Sequence, residues 1–212
     1  MTGLSGLYSI PTANIIGDGN ISVGTNYFPK QKLDFLGENQ GAQTYYLALG
    51  YLPFFEFGLR LTRPYGEKGE GFAIGDRMFS ARIKFLNESD VLPAIAVGFH
   101  DFTAANGGEK AKRFNANYIT LTKSIPIDNI IDNIAVTAGY GIKLREADDY
   151  EFMGLFGGAS ITFLENIQFI LEYDSDYTNS AIKLNVLNHF NLLFGIYRLK
   201  YPSGGLSFTF SL

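Results

Sequence analysis

The feature that most constrains this chain is a period-two alternation of apolar and polar side chains that recurs along its whole length. In FEFGLRLT, residues 55–62, phenylalanine or leucine occupies every second position, and glutamate, glycine, arginine and threonine lie between them. This period predicts β-strands, because successive side chains of a strand point to opposite faces. The alternation predicts about twelve strands, near residues 19–28, 42–52, 54–63, 76–86, 93–101, 113–124, 133–144, 151–164, 166–174, 180–188, 190–199 and 204–212.

The lengths of these strands and of their connections favour a membrane barrel. Most strands run roughly 9 to 12 residues, which exceeds the five or six of soluble sheets and suits a tilted strand that crosses a bilayer. Short turns such as LEN and NHF alternate with long loops rich in glycine and charge, such as RPYGEKGEGFAIGD. This pattern predicts an all-β, antiparallel up-and-down transmembrane barrel with its long loops extracellular and both termini periplasmic. The link SIPIDNIIDN is the exception, where we expect a helical turn over residues 128–133.

Composition supports the same fold class and excludes other classes of function. The chain has 24 Gly, 19 Phe and 13 Tyr, which is typical of membrane barrels. A soluble β-barrel or sandwich is the alternative, but it requires a bulky apolar inner face, whereas the polar faces here carry small or charged residues. The net charge of -4 argues against nucleic acid as a partner. Without cysteine, thiolate metal sites and thiol catalysis are excluded, and we expect no cofactor.

The last strand carries a pattern that resembles an assembly signal. In SGGLSFTFSL, Gly205, Phe208 and Phe210 follow the order that barrel-assembly machinery recognises at the C-terminus of outer-membrane proteins. The resemblance implies this machinery as a partner during biogenesis. We expect the strand to pair with residues 19–28, which closes the cylinder and removes both edges. Its phenylalanines then face the membrane lipid, and its serine and threonine side chains face the lumen.

The first half of the chain resembles the YjbH family of outer-membrane proteins linked to exopolysaccharide production. The stretch GLYSIPTANIIGDG is similar to that family's opening, and FGLRLTRPYGEKGEGFAIGDRMFSARIKFLNESDVLPAIAVGFHDF to its next block. The resemblance implies a non-enzymatic accessory or scaffold role in exopolysaccharide export or in a surface envelope complex. Polysaccharide and other outer-membrane or periplasmic proteins are then the expected partners. The matching residues are Gly6, Leu7, Pro11, Thr12, Ala13, Asp18, Gly19, Gly75, Asp76, Lys84, Leu92, Pro93, Ala94, Ala96, Gly98, Asp101 and Phe102.

Charged side chains on the polar faces are the strongest candidates for function inside the barrel. Buried ions need partners, so opposite signs on neighbouring strands suggest pairing that fills the lumen and favours a scaffold. The alternative is a narrow channel for small or anionic polar solutes, lined by basic residues. The candidates are Glu56, Arg60, Arg82, Lys84, Lys143, Glu172, Asp174 and Lys183.

The sequence predicts two parts, an N-terminal periplasmic segment of residues 1–18 that precedes the first strand and a transmembrane barrel of residues 19–212. The segment's apolar residues Ile10, Pro11, Ile15 and Ile16 are unfavourable in an open periplasm. We predict that the segment plugs the periplasmic mouth or lies along the inner wall, with a flexible tail as the alternative.

No catalytic constellation emerges from the sequence. His100 is expected to face inward near the outer rim, and His189 to lie in a turn at the opposite end. The nearest inward serine, Ser80, is expected nearer the opposite rim, so a hydrolytic triad is not predicted. Asp148, Asp149 and Glu151 form an acidic loop, for which we expect a solvated surface and no metal.

Overall fold

The computed structural model describes residues 3–32, 41–65, 76–102, 115–128, 130–144 and 151–212. Within these residues, no helix is long and apolar enough to cross a membrane. The described chain forms twelve β-strands: β1 (Asn20–Phe28), β2 (Gly41–Tyr51), β3 (Phe55–Tyr65), β4 (Asp76–Leu86), β5 (Ala94–His100), β6 (Ala116–Pro126), β7 (Ile131–Ile142), β8 (Gly154–Phe163), β9 (Ile167–Tyr173), β10 (Thr178–Val186), β11 (Phe190–Tyr197) and β12 (Tyr201–Ser211).

The strands close into one antiparallel barrel in which each strand pairs with its neighbours in the chain. The seam joins β1 to β12, with Asn20 opposite Ser211 and Tyr27 opposite Gly204. The predicted twelve-strand barrel and its closing strand are therefore confirmed. Two ends can be distinguished by their connections. The short-turn end carries residues 52–54, 87–93, 127–130, 164–166 and 187–189, and the long-loop end carries the other connections.

The alternation in the sequence separates the lumen from the exterior. Along β3, the side chains of Glu56 and Arg60 are at most 2% exposed, whereas the phenylalanines and leucines between them are partly exposed on the outer surface. The interior is thus polar and the exterior apolar, which contradicts the soluble alternative and fits a surface covered by lipid. Exposed outward side chains include Leu47, Leu121, Val136, Tyr140, Leu155, Leu171, Ile182 and Phe194.

The link between β6 and β7 corrects one expectation. The expected helical turn over residues 128–133 is wrong, because β7 already begins at Ile131. Instead, Asp128 closes a hairpin turn, and its Oδ1 accepts 2.8 Å hydrogen bonds from the amides of Ile130 and Ile131. The amide of Ile131 and then that of Ile130 lower the pKa of Asp128. The Asp128 side chain thus stabilises a hairpin turn at the position where the sequence suggested a helical turn.

The segment of residues 3–19, here called the lumen segment, lies inside the barrel. Its Leu7, Tyr8 and Ile10 are each at most 6% exposed. They belong to one buried apolar cluster with wall residues that include Phe156 and Ile170. The core of this barrel therefore forms between the wall and the chain that precedes β1.

Candidate functional site

The lumen segment enters the barrel at the short-turn end and folds back on itself. At the entry, the Gly19 amide donates to the Gly50 carbonyl at 3.1 Å, and Gly19 in turn accepts from the Leu212 amide at 2.9 Å. Deeper inside, the Leu7 amide donates to the Ile10 carbonyl at 3.0 Å, which closes a tight turn over residues 7–10. The tip of this turn reaches the wall formed by β9 to β12.

Glu172 of β9 holds the tip of that turn. Its carboxylate accepts hydrogen bonds from the amides of Tyr8 at 3.0 Å and Ser9 at 2.8 Å, and another from the Ser9 hydroxyl. Tyr8 adds a 2.6 Å hydrogen bond between its hydroxyl and that of Ser203. Glu172 is only 2% exposed, and a buried carboxylate requires such donors. The Glu172 carboxylate therefore satisfies the backbone amides at the tip of the turn.

Glu56 of β3 and Arg82 of β4 hold the other part of the lumen segment. The two form a fully buried ion pair on adjacent strands. Glu56 also accepts from the Ser5 amide at 2.7 Å and from the Ser5 hydroxyl at 2.6 Å. Arg82 donates to the carbonyls of Thr12 at 2.6 Å and Ser5 at 2.8 Å. The Glu56–Arg82 pair therefore links β3 to β4 and also binds the lumen segment.

The two anchoring carboxylates lie on opposite walls. β3 and β9 are six strands apart in a ring of twelve, so Glu56 and Glu172 hold the segment across the diameter. On the wall between them, β6 contributes Thr122, whose hydroxyl accepts from the Ala13 amide at 2.9 Å. The lumen segment is thus fixed by polar contacts on three sides of the barrel.

A second polar cluster lies toward the long-loop end. The Ser80 hydroxyl lies 3.0 Å from His100 Nδ1, and His100 Nε2 lies 2.9 Å from Glu151 Oε2. Glu151 Oε2 also lies 3.9 Å from a guanidinium nitrogen of Arg60. The expectation that Ser80 lies nearer the opposite rim is wrong. The β4–β5 register pairs Ala81 with Phe99 and so brings positions 80 and 100 to one level.

Glu151 is the anion of this cluster. Burial raises its pKa, but the Arg60 charge and the His100 hydrogen bond outweigh that effect and hold the pKa at about 2. The solvated surface expected for this residue is therefore wrong, because its side chain is only 14% exposed. Asp148 and Asp149 lie outside the described residues. Among the residues that are described, no group of three or more His, Cys, Asp or Glu could hold a metal ion.

Ser80, His100 and Glu151 are the residue types of a hydrolytic triad, in contact in the required order. However, Ser80 is 3% exposed and His100 is 1% exposed. The Ser80 hydroxyl also accepts the Asp101 amide hydrogen at 3.3 Å. A nucleophile has to reach its substrate, so this burial favours a structural role.

The remaining candidate charges occupy different positions. Lys143 follows the end of β7 and is exposed, whereas Lys84 is half-buried toward the short-turn end. Asp174 accepts from Asn179 Nδ2 at 2.8 Å, and Lys32 Nζ lies 4.0 Å from its carboxylate. The structure thus distributes the predicted charges between the lumen and its long-loop mouth.

A cavity of about 180 Å³ remains between the lumen segment and the wall formed by β1 to β3 and β10 to β12. Lys183 projects from β10 and lines this cavity, together with the polar side chains of Ser22, Asn191 and Ser207. Ile16 of the lumen segment lines it as well. The segment therefore fills the lumen only in part.

The other residues singled out in the sequence have clear positions. Ile10 is 1% exposed, Pro11 is buried and Ile15 is half-buried. Phe208 and Phe210 lie on the outer surface of β12, with ring centroids 5.9 Å apart. Recognition of Gly205, Phe208 and Phe210 by assembly machinery stays a prediction.

Sequence reasoning missed several residues that matter here. Ser5, Tyr8 and Ser9 hold the lumen segment through their amides and hydroxyls, which no side-chain pattern reveals. The one available signal was the pair Gly6 and Pro11, which bracket the turn and form an isolated bridge. Thr122 and Ser203, which bond to the lumen segment, were missed as well, as were Lys32 and Asn179, which lie in or beside the long-loop mouth.

Comparison with known proteins identifies the family. The YjbH family, described as exopolysaccharide biosynthesis protein YbjH, matches residues 1–151. The chain belongs to the YjbH family. The part matched to YjbH includes the lumen segment, Glu56, Arg82 and Glu151, whereas Glu172 and Lys183 lie beyond it. No curated protein matches the chain.

Among solved structures, the YjbH chain is similar to a KdgM porin, with a TM-score of 0.52 and 11% sequence identity. The similarity covers 91% of this chain and 99% of the porin. At this identity, the likeness shows a shared barrel fold. The family and the porin-like fold together fit an outer-membrane β-barrel.

Proposed function

We propose that this YjbH-family chain is a non-enzymatic outer-membrane barrel that serves as an accessory or scaffold subunit in exopolysaccharide export or in a surface envelope complex. The observation that carries the proposal is the clamped lumen segment, held from opposite walls by Glu56 and Glu172. A barrel that conducts a polymer needs an unobstructed lumen. In this barrel the lumen segment crosses the lumen. An anchor or scaffold has no such need.

The strength of the clamp supports this reading. Removing one partner of a buried ion pair typically costs about 3–5 kcal/mol. The Glu56–Arg82 pair is fully buried, and both residues bind the lumen segment. Movement of the segment out of the lumen would break these contacts together. The closed arrangement is therefore the resting state of the proposed scaffold.

The proposal includes an orientation and a set of partners. The long-loop end faces the cell exterior and the short-turn end faces the periplasm, because the short turns of such barrels are periplasmic. Lipid surrounds the apolar exterior, and barrel-assembly machinery inserts the chain. Other outer-membrane or periplasmic proteins, or polysaccharide, then contact the rims.

A narrow channel for small or anionic polar solutes is the second candidate. The observation in its favour is the cavity of about 180 Å³ beside the lumen segment, lined by Lys183. A small solute passes through a gap that excludes a polymer. The two candidates therefore differ in whether the intact chain conducts ions.

Planar-bilayer recording separates the candidates. The intact chain is expected to give no stable channel steps, and a variant that lacks residues 2–16 is expected to conduct, because the deletion empties the lumen. Glu88→Gln, a change in a short turn, serves as a control that leaves the barrel closed. Stable steps from the intact chain would support the channel and reject the scaffold with a closed lumen.

The absence of enzymatic activity is a separate part of the proposal. A fluorophosphonate probe, which labels activated serines, is expected to leave Ser80 unmodified in the folded barrel, because the hydroxyl is buried. Labelling that disappears in Ser80→Ala would show an active hydrolytic serine and would contradict the proposal. The test needs no knowledge of the natural substrate.

A further inference from the structure

Lys183 is the unusual group of the lumen. It projects from β10 into the cavity of about 180 Å³ beside the lumen segment. Throughout the part of the chain that the structure describes, its ammonium has neither a hydrogen-bond partner nor an ion-pair partner. The fully buried charges of this barrel, such as Arg82 and Glu172, are satisfied by several contacts each.

Lys183 is half-buried, and an ammonium that is partly withdrawn from water without a protein partner is unfavourable, so its retention calls for a physical reason. Glu56 is the carboxylate that lines the same cavity, but it is engaged by Arg82 and Ser5. It is therefore not available to neutralise Lys183. The cavity keeps one uncompensated positive charge.

The surroundings of Lys183 are suited to hydroxyl groups. Ser22, Asn191 and Ser207 line the cavity with side chains that both donate and accept hydrogen bonds. Ser22 Oγ already accepts from Thr209 at 3.1 Å, and both serines bond to Tyr46, so a ligand hydroxyl shares these groups with the wall. Near them, Asn185 Oδ1 is buried and has no hydrogen-bond partner among the described residues. Asn185 lies opposite Asn191 in the β10–β11 ladder. A second polar atom at this wall is thus also unsatisfied.

The cavity extends from the short-turn end toward Asn26, the seventh residue of β1. Ser22 is the third residue of β1 and Asn191 is the second residue of β11, and both positions lie at the short-turn end. The turn of the lumen segment, which contacts Glu172 of β9, lies toward the long-loop end.

We propose that this cavity is a binding site for a small hydroxylated carboxylate, of the kind represented by a single sugar acid. The carboxylate pairs with Lys183, and the hydroxyls bond to Ser22, Asn191 and Ser207. The proposal goes beyond the scaffold role because it assigns a ligand to the barrel itself. It does not require that the barrel conducts or that a polymer is exported.

Isothermal titration calorimetry on the intact chain in a non-ionic detergent tests the site with three probes. D-Glucuronate is expected to bind. D-Glucose, which has similar hydroxyls without the charge, is expected to bind at least about tenfold more weakly, because it lacks the charged hydrogen bond. Inorganic phosphate is expected to bind more weakly than glucuronate, because it makes fewer contacts with the hydroxyl-binding wall.

Two variants locate the interaction. Lys183→Met removes the charge but keeps an unbranched side chain, and it is expected to weaken glucuronate binding by at least about tenfold. Lys84→Met removes another half-buried lumen-side lysine that does not line the cavity, and it is expected to leave the affinity unchanged. Thermal unfolding of Lys183→Met is expected to be no lower than that of the parent, because an unpaired charge is lost.

Three results would overturn the site. If none of the three probes gives a heat of binding, the cavity binds no such ligand and water alone solvates Lys183. Glucuronate binding that survives Lys183→Met places the ligand elsewhere. Phosphate binding that exceeds glucuronate binding rejects the sugar-acid assignment. None of these results bears on whether the intact barrel is closed, which the bilayer recordings test separately.

Discussion

At the scale of single residues, Glu56 shows how this barrel uses a buried charge. One oxygen accepts from the Ser5 amide, and the other accepts from the Ser5 hydroxyl and from Arg82. The sequence predicted that Glu56 and Arg82 face the lumen from adjacent strands. It did not reveal the third partner, because Ser5 lies 51 positions from Glu56 and contributes a backbone amide.

We expect Glu56→Gln to destabilise the barrel by about 3–5 kcal/mol, because Arg82 is left as an unpaired buried charge. Urea unfolding in lipid vesicles, followed by the gel shift between folded and unfolded barrel, measures the change. The matched control is Glu88→Gln, since Glu88 pairs with Lys123 at 3.1 Å in a partly exposed position. Such a pair is worth about 0–1 kcal/mol. Equal losses in the two variants would refute the role of the buried pair.

Glu151 gives a prediction for the pH dependence of stability. Its pKa falls from 4.5 to about 2 on folding, so the folded state is favoured by its ionised form. This contribution is complete above about pH 5 and is lost as the pH falls toward 2. It amounts to a few kcal/mol at most.

The test compares Glu151→Gln with the parent chain in urea unfolding between about pH 6 and about pH 3. The variant is expected to be less stable than the parent at the higher pH, and the difference is expected to shrink as the pH falls. A difference that stays constant with pH would show that Glu151 acts through packing and not through its charge.

Among the structural elements, the strands could be predicted from the sequence much more completely than the path of the lumen segment. The alternation predicted all twelve strands, with ends that shift by a few residues. For example, β12 begins at Tyr201 and not near residue 204. The lumen segment was predicted as a plug, an inner-wall segment or a flexible tail. Its apolar residues indicated burial, but only the contacts with both walls define its path.

Close packing between the lumen segment and β11 makes a testable prediction. A Cβ added at Gly195 would lie 2.1 Å from a ring carbon of Tyr8. We therefore expect Gly195→Ala to displace Tyr8 and to lower the free energy of unfolding by about 1–3 kcal/mol. In a Tyr8→Ala background, the same change is expected to cost nothing further. Thermal unfolding of the two single variants and the double variant measures this coupling; additive losses would contradict the contact.

At the scale of the whole molecule, the apolar exterior determines where the barrel is stable. Leu121 is the sixth residue of the eleven-residue β6 and is 37% exposed on the outer surface. We expect Leu121→Arg to destabilise the barrel in vesicles by about 2–4 kcal/mol, because it places a charge at the middle of the bilayer. The measurement is the urea midpoint of vesicle-inserted protein.

Ile127→Arg is the matched control for Leu121→Arg. Ile127 is 48% exposed in the turn after β6, at the level of the membrane surface, where the same charge costs about 0–1 kcal/mol. Equal effects at the two positions would mean that the centre of β6 does not lie within the hydrocarbon layer.

The fold class, the number of strands and the two faces of each strand can be read from the sequence alone. These properties follow from a local period that every strand repeats, so no distant contact is needed to read them. The β4–β5 register that joins Ser80 to His100, the clamp on the lumen segment and the isolation of Lys183 were decided only by the tertiary structure. Each depends on which strands meet across the lumen, and the period of two carries no information about partners that are distant in the chain.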